Sequence, residues 1–110
     1  MSGSFVYTAG QLGLVPETGQ FAADDDIQAQ TRQALENVKA ILEAAGCKMG
    51  DVVKTTVFLS DMANFKAMNA VYAEYFTEPY PARSTVAVKG LPLGGLVEIE
   101  VIAIRPQPSR

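Results

Sequence analysis

Two stretches decide how this chain reads: Pro81-Ala82-Arg83-Ser84-Thr85-Val86-Ala87-Val88 and Val97-Glu98-Ile99-Glu100-Val101-Ile102-Ala103-Ile104. Both are rich in β-branched residues and read as β-strands. Arg83 opens the first, just after a proline. Glu98 and Glu100 sit in the second, where charge is unusual. Side chains alternate between the faces of a strand, so Glu98 and Glu100 point the same way, about 6.6 Å apart. They share that face with Ile102 and Ile104. An arginine at a strand start, and carboxylates on a half-apolar strand face, are costly to bury without a partner or a purpose.

Working outward, the 110 residues fit one domain (residues 1–110, with 1–4 a short, polar, flexible start). Hydrophobic residues make up 48% and charged residues 19%, enough for a packed core. Net charge is −3 and no Lys/Arg run stands out, so nucleic acid is not the expected partner. The single cysteine, Cys47, cannot form an intrachain disulfide, which fits a reducing, cytoplasmic setting. No apolar run approaches the roughly 18–20 residues that span a bilayer, and no secretory signal is read at the start. Histidine is absent. That removes Ser-His and Cys-His nucleophile systems and leaves no usual zinc ligand set.

Phe5–Ala9 reads as a strand closed by Gly10, with Gln11–Val15 continuing it or starting its partner. Gly10 and Gly13 suggest a bulge or a close backbone approach. Pro16–Gly19 is a turn. Asp24-Asp25-Asp26 precedes the clearest helix, with Asp25 and Gln28 spaced as a capping box. Ile27, Thr31, Ala34, Leu35, Val38, Leu42 and Ala45 form its apolar stripe. Gln30, Arg32, Glu36 and Lys39 are expected to face outward, and Gly46 to end the helix left-handed. Val52–Leu59 reads as a strand, with Val53, Thr55, Val57 and Leu59 on one face and Val52, Lys54, Thr56 and Phe58 on the other. A second helix, capped by Asp61 or Asn64, carries Phe65, Met68, Tyr72, Tyr75 and Phe76 as a core stripe. Pro79 and Pro81 end it, and Pro106 and Pro108 end regular structure.

This order predicts an α+β fold, with two helices on one face of a mostly antiparallel sheet. Both strand faces look apolar: Val57 against Phe58, Ile99 against Ile102. The face without helices therefore needs a partner, and a homo-oligomer is expected.

The Pro-Ala-Arg-Ser motif at residues 81–84, followed by Val-Glu-Ile-Glu-Val-Ile-Ala-Ile at 97–104, resembles the RidA/YjgF/UK114 family of imine deaminases. Residues 7–13, Tyr-Thr-Ala-Gly-Gln-Leu-Gly, agree, as do residues 30–42 and 53–59, and Asn69-Ala70-Val71-Tyr72 with Tyr75-Phe76. The resemblance covers nearly the whole chain in order. It implies a chorismate-mutase-like fold assembled as a homotrimer, its sheets forming a central barrel and its ligand sites lying between subunits. It implies hydrolysis of reactive 2-imino and enamine acids, such as 2-iminopropanoate and 2-iminobutanoate, to 2-keto acids and ammonia, without a cofactor.

Carried over by motif, Arg83 matches the arginine that holds the substrate carboxylate, a role suited to a planar and permanently charged guanidinium. Glu98 matches the acidic residue that positions water. Gly10 offers a backbone N–H at close range, Asn69 lines the site, and Ala9 stands where many members have serine. Glu100 reads as an ion-pair residue, Cys47 as incidental, and the loop Gly90 to Gly95 as bordering the cleft. The resemblance departs at the start, where members carry an edge strand and a tyrosine in a Gly-Pro-Tyr context that reaches the pocket. Tyr7 is not that tyrosine. Two other readings stay open: a trimer that binds small carboxylates without catalysis, as a metabolite sensor, and an RNA-cleaving translation inhibitor. The acidic balance and the absence of histidine argue against the last.

Overall fold

The computed structural model describes residues 4–106. Of the flexible start expected at residues 1–4, all but Ser4 lies outside the described residues, as does Pro108. The elements are β1 (Phe5–Tyr7), β2 (Gln11–Leu12), β3 (Leu14–Val15), β4 (Gln20–Phe21), α1 (Ile27–Ala44), β5 (Val52–Leu59), α2 (Phe65–Tyr72), β6 (Ala82–Ala87) and β7 (Val97–Ile104). Short 3-10 turns precede β5, α2 and β7. The main sheet runs β1-β7-β5-β6, with β2 also on β7, and β3 and β4 form a separate hairpin. The α+β expectation holds. Its one parallel pairing, β5 with β6, arises because the chain returns through α2 before laying down β6. No helix among the described residues is long and apolar enough to cross a membrane.

The start of α1 falls one residue later than the Asp25 capping box predicts. Asp26 adopts the extended conformation, and its carboxylate accepts from the N–H groups of Gln28 at 3.0 Å and Ala29 at 3.1 Å. The end is as expected. Gly46 sits at φ +83°, the Cys47 N–H donates to Leu42 O and the Gly46 N–H to Glu43 O, closing a Schellman motif. Arg105 Nε adds a bond to Ala45 O at 2.9 Å, tying the end of the helix to the end of β7.

The core lies between the helices and one sheet face. Leu35, Val38 and Leu42 of α1 and Met68 of α2 pack with Val57, Leu59, Val97, Ile99 and Val101. Two faces assigned from alternation need correction. Val52 and not Val53 is buried, because Val52 pairs with Ala103 and Lys54 with Ile102, leaving Val53 as the extra residue of a bulge. Gln30 is fully buried, not outward. Its Nε2 donates to Ala23 O at 2.8 Å and Asp24 O at 3.0 Å, and its Oε1 accepts from Leu96 N–H at 2.9 Å. A buried amide this well satisfied belongs in a core. It pins the start of α1 to the loop feeding β7. Gly13 permits this packing: a Cβ there would lie 2.5 Å from Gln30 O.

The other sheet face carries no helix. Phe5, Tyr7, Ile102, Ile104, Phe58 and Val86 lie on it in register, interspersed with Lys54, Thr56, Ser84, Glu98 and Glu100. Phe5 and Tyr7 are 57% and 69% exposed, so this face is apolar and open in the single chain.

Candidate functional site

Arg83 enters the structure at the start of β6, in register with Thr55 of β5. Thr55 pairs in turn with Val101. All three point to the helix side, so Arg83 rises along α2. There Phe65, Asn69 and Tyr72, at helical i, i+4 and i+7, form one ridge. The Arg83 Nη1 donates to Asn69 Oδ1 at 2.6 Å. Its guanidinium carbon lies 4.6 Å from the Tyr72 ring centroid and 5.4 Å from that of Phe65. Two aromatic rings and an amide therefore set the orientation of this cation. It has no carboxylate partner among the described residues.

Tyr72 is itself fixed from behind. Its hydroxyl shares a 2.8 Å hydrogen bond with Thr55 Oγ1, and both residues are buried. Burial pushes its phenol above the ordinary value, while the bond to Thr55 and the nearby Arg83 charge pull the other way. The α2 aromatics Tyr72 and Phe76 are core, as expected, and Tyr72 in addition carries the Arg83 guanidinium over its ring. Thr85, the next residue on the same face of β6, carries the one buried side-chain oxygen without a hydrogen-bond partner among the described residues. Arg83 and Asn69 open onto a cleft of about 430 Å³ walled by Tyr72, Ala73, Phe76, Tyr80 and Pro81.

Gly10 and Glu98 form a second group. Tyr7 pairs with Ile102 and Gln11 with Ile99, so Thr8, Ala9 and Gly10 oppose only Glu100 and Val101. This is a one-residue bulge, stitched by Thr8 N–H to Val101 O and Val101 N–H to Thr8 Oγ1, each at 3.0 Å. The bulge leaves the Gly10 N–H without a backbone acceptor among the described residues. The Glu98 carboxylate lies against Gly10, so close that a Cβ on Gly10 would sit 2.6 Å from Glu98 Cδ. Both expectations for Gly10, a bulge and a close approach, hold together. Ala9 is exposed on the same bulge.

The two groups do not meet within one chain. Glu98 pairs with Phe58, on the open face, whereas Arg83 pairs with Thr55, on the helix face. One strand and three residues of register also separate them, roughly 14 Å by strand spacing and rise. Neither Glu98 nor Glu100 makes an ion pair among the described residues. Lys54, a conceivable partner for Glu98, donates instead to Thr55 O at 2.9 Å. Within one chain the loop Gly90 to Gly95 is not part of the Arg83 cleft lining: Leu93 lies beside Leu14 and Phe21, and Gly95 packs on Leu12. Cys47 is a core residue, its thiol pushed up by burial and by Asp51. No cluster of His, Cys, Asp or Glu among the described residues is arranged to hold a metal.

This α+β domain carries an arginine on one sheet face and a glycine–glutamate pair on the other. A family model described as Endoribonuclease L-PSP matches residues 1–105. The chain is 54% identical over 106 residues to the 2-iminobutanoate/2-iminopropanoate deaminase of Salmonella typhimurium, covering 94% of this chain and 81% of that protein. It is 54% identical over 104 residues to a RutC family protein of Pyrococcus horikoshii, covering 94% and 82%. Among solved structures, E. coli TdcF with bound serine superposes with a TM-score of 0.87 at 48% identity, covering 94% of this chain and 82% of that one. The chain belongs to this family, the RidA/YjgF group.

Proposed function

We propose that the chain hydrolyses 2-imino acids to 2-keto acids and ammonia, as a homotrimer in which Arg83 and Asn69 of one copy face Gly10 and Glu98 of the next. The observation that carries this reading is the division of the candidate residues between the two sheet faces. Each half is built for a task, and neither is complete alone. The open face of Phe5, Tyr7, Ile102 and Ile104 supplies apolar surface for the assembly.

The chemistry follows from the groups present. Arg83 binds the substrate carboxylate by charge-assisted hydrogen bonds, competing with Asn69 for one donor. Glu98 takes a proton from a water as its oxygen attacks the C=N carbon, giving a carbinolamine. That proton passes to nitrogen; the hydroxyl O–H then gives up its proton, through Glu98, to the departing nitrogen as the C=O bond forms and the C–N bond breaks, and ammonia and the keto acid leave. The Gly10 N–H stabilises charge developing on the substrate. No step calls on a cofactor. A serine in the TdcF structure, itself a small carboxylate, supports the ligand class. The names of the deaminase relatives support the reaction. The endoribonuclease description of the family model draws no comparable support from this chain, which is acidic and without histidine.

The test is a coupled assay that generates 2-iminopropanoate from an amino acid and follows its removal. Wild-type protein should accelerate its loss, and Arg83→Ala should abolish the acceleration. Equal rates for both proteins would end the enzyme reading. Arg83-dependent binding of keto acids without turnover would select the carboxylate-sensor alternative.

A further inference from the structure

Covering the open sheet face removes more than apolar surface from water. Three charges go with it: Lys54 of β5, and Glu98 and Glu100 of β7, stand among Phe58, Ile102 and Ile104. A charge buried in an interface without a partner is strongly unfavourable. Glu98 has its place against Gly10. One cation and one anion remain. Resting on the homotrimer proposed above, we propose that Lys54 of each copy forms an ion pair with Glu100 of the next, and that this pair fixes how the copies dock.

The single chain leaves both groups available. Lys54 pairs with Ile102 and Thr56 with Glu100, so Lys54 and Glu100 are diagonal neighbours on one face. Such neighbours lie about 7–8 Å apart, within reach of a lysine. Yet the two do not pair among the described residues, where Arg32–Glu74 is the one ion pair. The Lys54 ammonium rests on neutral oxygens: Thr55 O at 2.9 Å, Thr56 Oγ1 at 3.3 Å and Ser84 Oγ at 3.4 Å. Neutral acceptors leave its charge uncompensated, which is tolerable beside water and costly once the face is covered. Glu100 is exposed and, although it reads as an ion-pair residue in the sequence, meets no cation among the described residues.

Register sets these two groups in the same contact as the proposed site. Lys54 pairs with Ala82, the residue before Arg83. Glu100 is two residues beyond Glu98, about 6.6 Å along β7. Docking that carries Arg83 of one copy to Glu98 of the next therefore carries the Lys54 end of the sheet toward Glu100 as well. A cyclic trimer repeats this contact three times and uses each Lys54 and each Glu100 once. A second copy of the chain matches both charges, whereas an apolar partner would match neither.

The experiment exchanges the charges and follows the mass of the full chain against concentration by sedimentation. The wild type should be trimeric. Lys54→Glu and Glu100→Lys each set like charges together at every contact, and each should raise the concentration of half-dissociation about a hundredfold or more. The double variant should return it to within about tenfold of wild type, which also shows that the fold survives both changes. The deciding sample mixes the two single variants in equal amounts. A mixed trimer has opposite charges at two of its three contacts, so trimers should reappear from two proteins that separately lack them. Rescue in the double variant without rescue in the mixture puts the pair inside one chain and overturns the proposal. A trimer indifferent to either single change, or one that neither combination restores, overturns it too. In all three cases a trimeric wild type leaves the homotrimer standing. A monomeric wild type removes the homotrimer and the pair together.

Discussion

Replacing Gly10 by alanine separates the chemical role of the bulge from its structural one. The new Cβ would sit 2.6 Å from Glu98 Cδ, 2.8 Å from Oε2 and 2.9 Å from Cγ. Ordinary carbon contacts begin near 3.5 Å, so the carboxylate must retreat by about 1 Å. What yields is the far end of a flexible, half-buried side chain, and no left-handed φ at Gly10 adds backbone strain. Stability should therefore fall by less than about 1 kcal/mol, read as a small shift in the urea midpoint with an unchanged slope. Catalysis should suffer far more. A displacement of ~1 Å in a group that handles the attacking water is worth about 10²-fold in rate. The coupled 2-iminopropanoate assay should show that loss mainly in kcat, since Arg83, the proposed carboxylate anchor, lies on the other sheet face. A kcat within about threefold of wild type would refute the role given to the Gly10–Glu98 contact. So would a collapse of the urea midpoint that explained the loss by unfolding.

The neighbouring glycine should behave in the opposite way. Gly13→Ala places a Cβ 2.5 Å from Gln30 O and 2.7 Å from Gln30 Cα, so helix backbone and not a side-chain tip must move; a loss of about 3 kcal/mol is expected in urea denaturation. Stability should also depend on alkaline pH. The phenols of Tyr72 and Tyr75 and the Cys47 thiol are all raised, chiefly by burial. A raised group is held protonated in the fold to higher pH than in the unfolded chain, so its contribution is complete below the ordinary value and is lost as pH climbs through the raised one. Urea midpoints should therefore decline above about pH 9. Tyr72→Phe should flatten part of that decline while lowering stability by roughly 1–2 kcal/mol at neutral pH, because Thr55 Oγ1 is left buried without its partner.

Much of this structure is legible in the chain before any coordinates. The periodicity of residues 27–45 gives α1, and the β-branched runs give β5, β6 and β7 close to their observed limits. The alternation of Val57 against Phe58 and Ile99 against Ile102 correctly announces a sheet with an uncovered apolar face. The misreadings share one physical cause: local patterns do not report distant partners. Val52 and Val53 exchange faces because of a bulge set by β7, which no alternation within β5 reveals. Gln30 reads as outward because glutamine usually is, yet its amide meets acceptors and a donor from residues 23, 24 and 96. The site divides in the same way. Arg83 and Glu98 could be picked out by residue type and motif, but which sheet face each occupies depends on strand register. Tyr72 was hidden by its place in an apolar stripe. The signal that could have found it is its spacing, three residues beyond Asn69 and seven beyond Phe65, which sets all three on one helix face.

The central claim is that Arg83 and Glu98 act together only across two copies. Arg83→Ala and Glu98→Gln are each expected to be inactive as pure proteins. Denatured together in equal amounts and refolded, they should form trimers of which about three quarters are mixed, each with one restored site in three, because cyclic contacts pair every copy with a single neighbour. The 2-iminopropanoate assay should then return about one quarter of the wild-type activity, from two components that separately have none. No recovery in verified mixed trimers would contradict the account and place the working site within a single chain.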